Sequence, residues 1–358
     1  MAFDPEETSK LVENAIREIA RANAGAATPA KAEEKVPLVE TAALPTKTGK
    51  HSKMFSEVFG VKVPHDFAIT VLDKKSLPVE IAELVPTPDP TYNVQVEEAY
   101  YLLLAWENND KVLMSGPTGS GKSSLVKYCA AMTGRPFIRL NMNGDIESSS
   151  IFGHLVVEGG ATKWQAGAAQ EAIQYGAVLL IDEWEIMPPE VGMGFQNVLE
   201  DGGYLFLKEM PGTSKEKMIV PHKNFRLVYA GNTVGQGDEM GAFAGVAVQN
   251  TATIDRFQTT IILDYLSVEH ETQVLKNTVP TLTAQAITKM LQFANLVRTA
   301  HTQGNASLTV SPRTLINWGR KIVMLGDVKK ALQYSFINKL STSDKKLVLE
   351  LYAKVFGK

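Results

Sequence analysis

Gly116-Pro117-Thr118-Gly119-Ser120-Gly121-Lys122-Ser123 fits the phosphate-loop pattern GxxxxGK[ST]. An apolar run, 111–115, precedes it, and the helix-prone run Ser124–Met132 follows. That context turns a pattern into chemistry. Glycines let the backbone wrap tightly, so amide N–H groups face phosphate oxygens. The helix N-terminus adds the positive end of its dipole. Residues 116–124 are thus expected to cradle a nucleotide. Lys122 reaches the β- and γ-phosphates, Ser124 stands at the helix start, and the Ser123 hydroxyl binds Mg²⁺.

A second constellation lies downstream. Val178-Leu-Leu-Ile-Asp182-Glu183 is an apolar run ending in two carboxylates, the pattern of a Walker B strand. Asp182 is expected to bind Mg²⁺ through water, and Glu183 to orient or deprotonate the attacking water. The run Phe225–Gly231 ends in Asn232, a polar amide where a sensor 1 residue would hold that water. Arg256, in Thr253-Ile-Asp-Arg-Phe257, is read as an arginine finger acting on a neighbouring subunit's nucleotide; a structural salt bridge is its alternative role. Ser311-Pro312-Arg313 opens a helix, Ser capping and Pro fitting the first turn. Arg313 can point back at the phosphates as a sensor 2 residue.

Composition sets the frame. The chain has 358 residues, 44% hydrophobic and 21% charged, and a formal net charge of −3. It is long enough for more than one domain-sized unit. No basic excess argues for sequence-independent nucleic-acid binding. Nothing approaches the roughly 18 unbroken apolar residues of a membrane span. The acidic opening Met1–Glu7 does not read as a signal peptide. The single cysteine, Cys129, falls on an apolar helical stripe with Leu125, Tyr128 and Met132, and reads as a core residue. A cytoplasmic protein is expected. The six histidines are scattered and form no HExxH spacing, so no chelation site is expected within the chain.

Residues 1–24 are expected to hold an amphipathic helix, capped by Asp4 and striped by Leu11, Ala15 and Ile19. Residues 25–50, rich in Ala, Pro, Lys and Glu, read as a linker. Residues 51–88 form an N-terminal segment in which Met54–Gly60 is either a docking element or the start of the fold. From 89 to 266 apolar strands alternate with helices, the pattern of a parallel α/β sheet. Strands are expected at 111–115, 136–142, 177–182, 225–231 and 258–263. From 267 to 358 helical periodicity dominates, with starts at Ser267, Ser311-Pro312 and Ser343, so a small all-α lid is expected.

The ordered set resembles the AAA+ ATPases of the helix-2-insert clade, which includes the MoxR proteins and the chelatase ATPases. The likeness is strongest to the family of the aerobic cobaltochelatase ATPase subunit. It is carried by Gly231-Asn-Thr-Val-Gly-Gln-Gly-Asp238, Asp255-Arg256-Phe257, Ser311-Pro-Arg-Thr-Leu-Ile-Asn-Trp318 and the ending from Phe336 to Gly357. It covers roughly 52–358. The resemblance implies a P-loop AAA+ sheet with flanking helices, Mg²⁺-dependent ATP hydrolysis and a homo-oligomeric, hexameric ring. It implies a hairpin insert at 145–170, turning at Gly159-Gly160, and a second hairpin with arms near 204–208 and 218–221, both directed at the ring pore. It also implies a von Willebrand A-like protein partner and possible service to a metal-chelatase-type complex. One departure stands out. Family ATPases often follow Walker B with Asp-Glu-Tyr or Asp-Glu-Ile-Asn, whereas this chain has Asp182-Glu183-Trp184-Glu185. Two other functions fit less well. A nucleic-acid motor lacks a basic–aromatic run. A P-loop kinase leaves Asn232, Arg256 and Arg313 without a role.

Overall fold

The computed structural model describes residues 51–237 and 249–357. The expected helix at 1–24 and the linker at 25–50 lie outside the described residues, as does Asp238. The described strands, in chain order, are β1 (Ser52–Met54), β2 (Ala68–Thr70), β3 (Val112–Ser115), β4 (Phe137–Asn141), β5 (Gly153–Glu158), β6 (Ala161–Ala166), β7 (Val178–Asp182), β8 (Leu205–Phe206), β9 (Met218–Ile219), β10 (Arg226–Gly231) and β11 (Thr259–Ile262). The central sheet has the order β11-β3-β10-β7-β4. Every pairing in it is parallel. Each expected strand run contains one of these five strands.

A parallel sheet covered on both faces needs apolar side chains on both faces, and alternation sorts them here. Val112, Met114, Val178, Leu180, Val228 and Ala230 face the helices Val96–Asn108 and Lys122–Met132. Leu113, Leu179, Ile181, Leu227 and Tyr229 face the helices Ala168–Tyr175 and Pro189–Gln196. Cys129 is fully buried on the first face, and burial drives its thiol well above the ordinary range. It is a core residue, as its stripe indicated.

Part of 51–88 also packs on the first face. Phe55, Phe67 and Ile69 belong to the same core as Leu102 and Trp106. Phe55 stacks on Phe59 and Phe67 at 4.6 and 5.7 Å between ring centroids. The Met54–Gly60 stretch is therefore packed into the core of the fold.

Both expected hairpins are present. β5 pairs antiparallel with β6. Gly159 and Gly160 turn the chain with φ of +62° and +80°, the left-handed pair that a two-residue hairpin loop requires. β8 and β9 form the second, shorter hairpin.

The C-terminal helices Val268–Thr278, Ala284–Thr302, Pro312–Leu325, Val328–Ser335 and Thr342–Phe356 surround their own core of Met290, Phe293, Leu315 and Trp318. Ser267 caps the first by accepting from the His270 amide, and Ser311 caps the third by accepting from the Thr314 amide. The last start differs from expectation. Ser341, not Ser343, is the cap, accepting from the Asp344 amide. Ser343 lies inside the first turn, its hydroxyl 2.9 Å from that of Ser341. Two serines near one helix start compete for the cap. The one with extended backbone wins, because a cap residue must sit outside helical φ/ψ. Among the described residues no helix is long and apolar enough to cross a membrane.

Candidate nucleotide site

The phosphate loop leaves β3 and enters the helix Lys122–Met132 through Gly121, whose φ of +101° suits glycine alone. Gly119 serves a different purpose. A Cβ there would lie 2.5 Å from Cβ of Ser311. The missing side chain lets the C-terminal helices come down onto the loop.

Lys122 is buried and donates to the Gly116 carbonyl at 2.6 Å and the Pro117 carbonyl at 3.2 Å. Burial pushes its ammonium down, while Glu183, Asp182 and Glu185 push it back up. The Ser123 hydroxyl donates to Asp182 Oδ2 at 2.5 Å. Glu183 follows β7 in the left-handed region, φ +56°. A non-glycine residue held there marks a strained turn of the kind found at functional sites. Asn232, at the end of β10, donates from Nδ2 to Glu183 Oε2 at 3.2 Å. Its Oδ1 accepts from Thr118 at 3.3 Å and from Lys122 at 3.4 Å. These side chains line a cavity of about 330 Å³ with Gly119, Gly121, Ser124 and Arg313. A second cleft of about 350 Å³ shares Gly119, Gly121, Ser124 and Arg313. Tyr92, Gln95, Asn317 and Arg320 line its outer part. One polar, cationic cavity thus adjoins one mixed cleft, the division that a nucleotide's phosphates and base require. The hydroxyl–carboxylate pair Ser123–Asp182 is a hard oxygen donor set that fits Mg²⁺.

The structure brings Lys122, Ser123, Asp182, Glu183, Asn232 and Arg313 together. It does not bring Arg256 to them. Arg256 Nε donates to Glu200 Oε1 at 2.5 Å, and Nη1 donates to the Ala252 carbonyl. It lines neither cavity of its own chain.

Three features escaped sequence reasoning. Arg139 forms an ion pair with Asp182, Nη2 to Oδ2 at 2.5 Å. The signal was a lone Arg inside the apolar strand Phe137-Ile-Arg-Leu-Asn141. The cleft residues Tyr92, Gln95 and Arg320 carry no motif, and Asn317 lies in the Ser311–Trp318 stretch without having been given a role. The third feature is Trp184-Glu185, noticed as a departure but given no role. Trp184 is fully buried against Tyr229 and Phe257, at 5.8 and 6.0 Å. Glu185 is also buried. Its Oε1 accepts from the Thr233 amide at 2.7 Å, and its backbone carbonyl accepts from Gln249 at 2.8 Å. Glu185 thereby holds the residue after Asn232 and the segment leading to Arg256.

This packing requires Gly231, since a Cβ there would lie 2.2 Å from the Glu185 carboxylate. Gly231→Ala is expected to destabilise the fold by about 1–3 kcal/mol, the usual range for overpacking. Glu185→Ala in the same chain removes the obstructing atoms and is expected to recover part of the loss. Thermal unfolding of the single and double variants checks both statements.

Burial, together with Asp182 and Glu185, raises the Glu183 carboxyl above the ordinary range, against the pull of Lys122 and Arg139. The folded chain therefore holds this proton more tightly than the unfolded chain. The stability it contributes is complete below the ordinary carboxyl pKa and is lost as pH rises through the raised value. At neutral pH the neutral isostere in Glu183→Gln is expected to raise the unfolding midpoint. Turnover that needs ionised Glu183 is expected to rise with pH along an acid limb displaced upward from the ordinary value of about 4.3. A pH–rate profile and a melting curve measure the two effects.

Fold and site together define a P-loop ATPase of the AAA+ type, and comparison with known proteins agrees. The family described as AAA domain (dynein-related subfamily) matches residues 111–257, and the CbbQ/NirQ/NorQ C-terminal family matches residues 271–354. The aerobic cobaltochelatase subunit CobS of Sinorhizobium sp is 32% identical over 281 residues, 76% of this chain and 83% of that protein. Protein CbbQ of Hydrogenophilus thermoluteolus is 25% identical over 237 residues, 65% of this chain and 82% of that protein. The chain belongs to the MoxR-like AAA+ ATPases of the CobS, CbbQ and NorQ type. Among solved structures, the Thermotoga maritima RuvB Holliday junction branch migration motor aligns with a TM-score of 0.43 and 17% identity, covering 76% of this chain and 72% of that one.

Proposed function

We propose that this protein is an Mg²⁺-dependent ATPase that assembles as a hexameric ring and uses ATP turnover to remodel a protein partner. The observation that carries the reading is the Glu183–Asn232 pair beside Lys122, Ser123 and Asp182. A strained carboxylate, raised in pKa and held by an amide at the mouth of a phosphate cavity, is suited to water activation.

Each residue has a task. Lys122 exchanges its loop carbonyls for phosphate oxygens. Ser123 and Asp182 hold the metal, which neutralises charge on the phosphates when bound. Glu183 takes the proton of the attacking water, and Asn232 sets its direction. Arg313 reaches the phosphates from the C-terminal helices, so ATP and ADP are expected to set those helices differently. Arg256 stands outside its own cavity, which supports action on the neighbouring subunit. The partner we assign is a von Willebrand A-like protein. The CobS likeness favours a metal-chelatase-type complex as the client.

The test is purification of the tagged chain with and without ATP, followed by native mass spectrometry. A hexamer that forms with ATP and co-purifies with a von Willebrand A-like protein is the expected result. A monomer with full ATPase activity would remove the ring. A ring whose activity responds to DNA and not to protein partners would replace the client.

A further inference from the structure

The pleat of β4 sets Arg139 beside Leu180 of β7, in the register that also pairs Asn141 with Asp182. Alternation places Arg139 and Asp182 on the same face of the sheet, the one covered by the phosphate-loop helix. The Arg139 side chain, 49% exposed, lines the phosphate cavity and ends on Asp182 Oδ2 at 2.5 Å. Ser123 donates to that same oxygen. Asp182 is nearly buried, its side chain 5% exposed. A buried carboxylate without a counter-charge is costly. Lys122 attracts Asp182 through space but forms no ion pair with it, because its ammonium is bonded to loop carbonyls and to Asn232. Lys127 and Arg313 line the cavity but form no ion pair among the described residues.

We propose that Arg139 is the resident counter-ion of Asp182, occupying the metal-binding carboxylate until Mg²⁺ and nucleotide arrive together. It rests on the reading of Ser123 and Asp182 as the Mg²⁺ site. Mg²⁺, held directly or through its water, would compete with the guanidinium for Asp182, so part of the metal's binding energy would be spent on the exchange. Arg139 thereby weakens the coupling between Mg²⁺ and nucleotide. Without metal it screens Asp182 from the phosphates. With metal it swings free on its exposed stem.

The coupling is measured as a ratio: the Kd of a fluorescent, non-hydrolysable ATP analogue in EDTA over its Kd in Mg²⁺. The ratio cancels any general loss of attraction for phosphate. Arg139→Gln is expected to enlarge it about fivefold, equivalent to about 1 kcal/mol for a half-exposed pair. Arg139→Lys keeps the charge and is expected to stay near the parent ratio. An unchanged or smaller ratio in Arg139→Gln overturns the proposal. So does a parent protein that binds the analogue equally well in EDTA and Mg²⁺, which would also overturn the metal assignment. Failure of the parent to bind the analogue at all would sink the phosphate-loop reading first, and this proposal with it. Because the side chain is half-exposed and fills no core space, both variants are expected to fold, and circular dichroism verifies it.

Discussion

Glu183→Gln is expected to bind ATP and fail to turn it over, whereas Lys122→Ala is expected to lose the nucleotide altogether. The two residues lie in one cavity but act on different charges. In the proposed role Lys122 supplies the ammonium that neutralises phosphate, so its loss should remove affinity. Glu183 accepts from Asn232, and if it is the proposed general base its loss should cost about 10²–10⁴ in rate. Equilibrium binding of ATP together with steady-state phosphate release separates these outcomes. Hydrolysis by Glu183→Gln at the parent rate would mean that Glu183 is not the base. Retained tight binding in Lys122→Ala would remove the phosphate role from the loop.

Arg256→Ala is expected to bind ATP normally and to hydrolyse it about a thousandfold more slowly, the loss associated with an arginine supplied in trans. In its own chain Arg256 pairs with Glu200 and lies outside the cavity. Mixing Arg256→Ala with Glu183→Gln is then expected to restore part of the activity. In a mixed ring an intact Glu183 on one subunit can face an intact Arg256 on the next. Neither variant alone can build that interface. Steady-state ATPase of the mixture, after subunit exchange, measures the rescue. No rescue in rings proven to be mixed would leave Arg256 with the Glu200 salt bridge as its whole role. Trp184, next to Glu183, packs against Phe257, next to Arg256. Changes at Trp184 are therefore expected to alter both.

Much of this architecture was legible in the sequence. The five core strands were readable because each is a short apolar run buried on both faces, bounded by polar or glycine residues. The phosphate loop and the Asp182-Glu183 pair were readable because their chemistry is local: consecutive residues build the loop, and a strand end presents the acids. The cap at Ser343 was misplaced by two residues, because composition does not distinguish two serines whose backbones differ. The 51–88 segment was ambiguous because apolar residues that dock a partner and apolar residues that enter a core look alike.

Local sequence determined the elements, the glycine turns and the groups that line the candidate phosphate cavity. Tertiary structure alone decided which distant groups join them. Lys122 and Asn232 are separated by 110 positions, and only the order β11-β3-β10-β7-β4 puts the ends of β3, β10 and β7 side by side. The same order places β4 against β7 and so delivers Arg139 to Asp182, a pairing that no motif encodes. Glu185, to which the sequence assigned no role, is buried because Gly231 leaves space for it and the Thr233 amide binds it. Hydrophobic periodicity and turn chemistry act over a few residues and are written along the chain. Ion pairs, shared cavities and counter-charges depend on which strands become neighbours, and the packing of the whole sheet selects that.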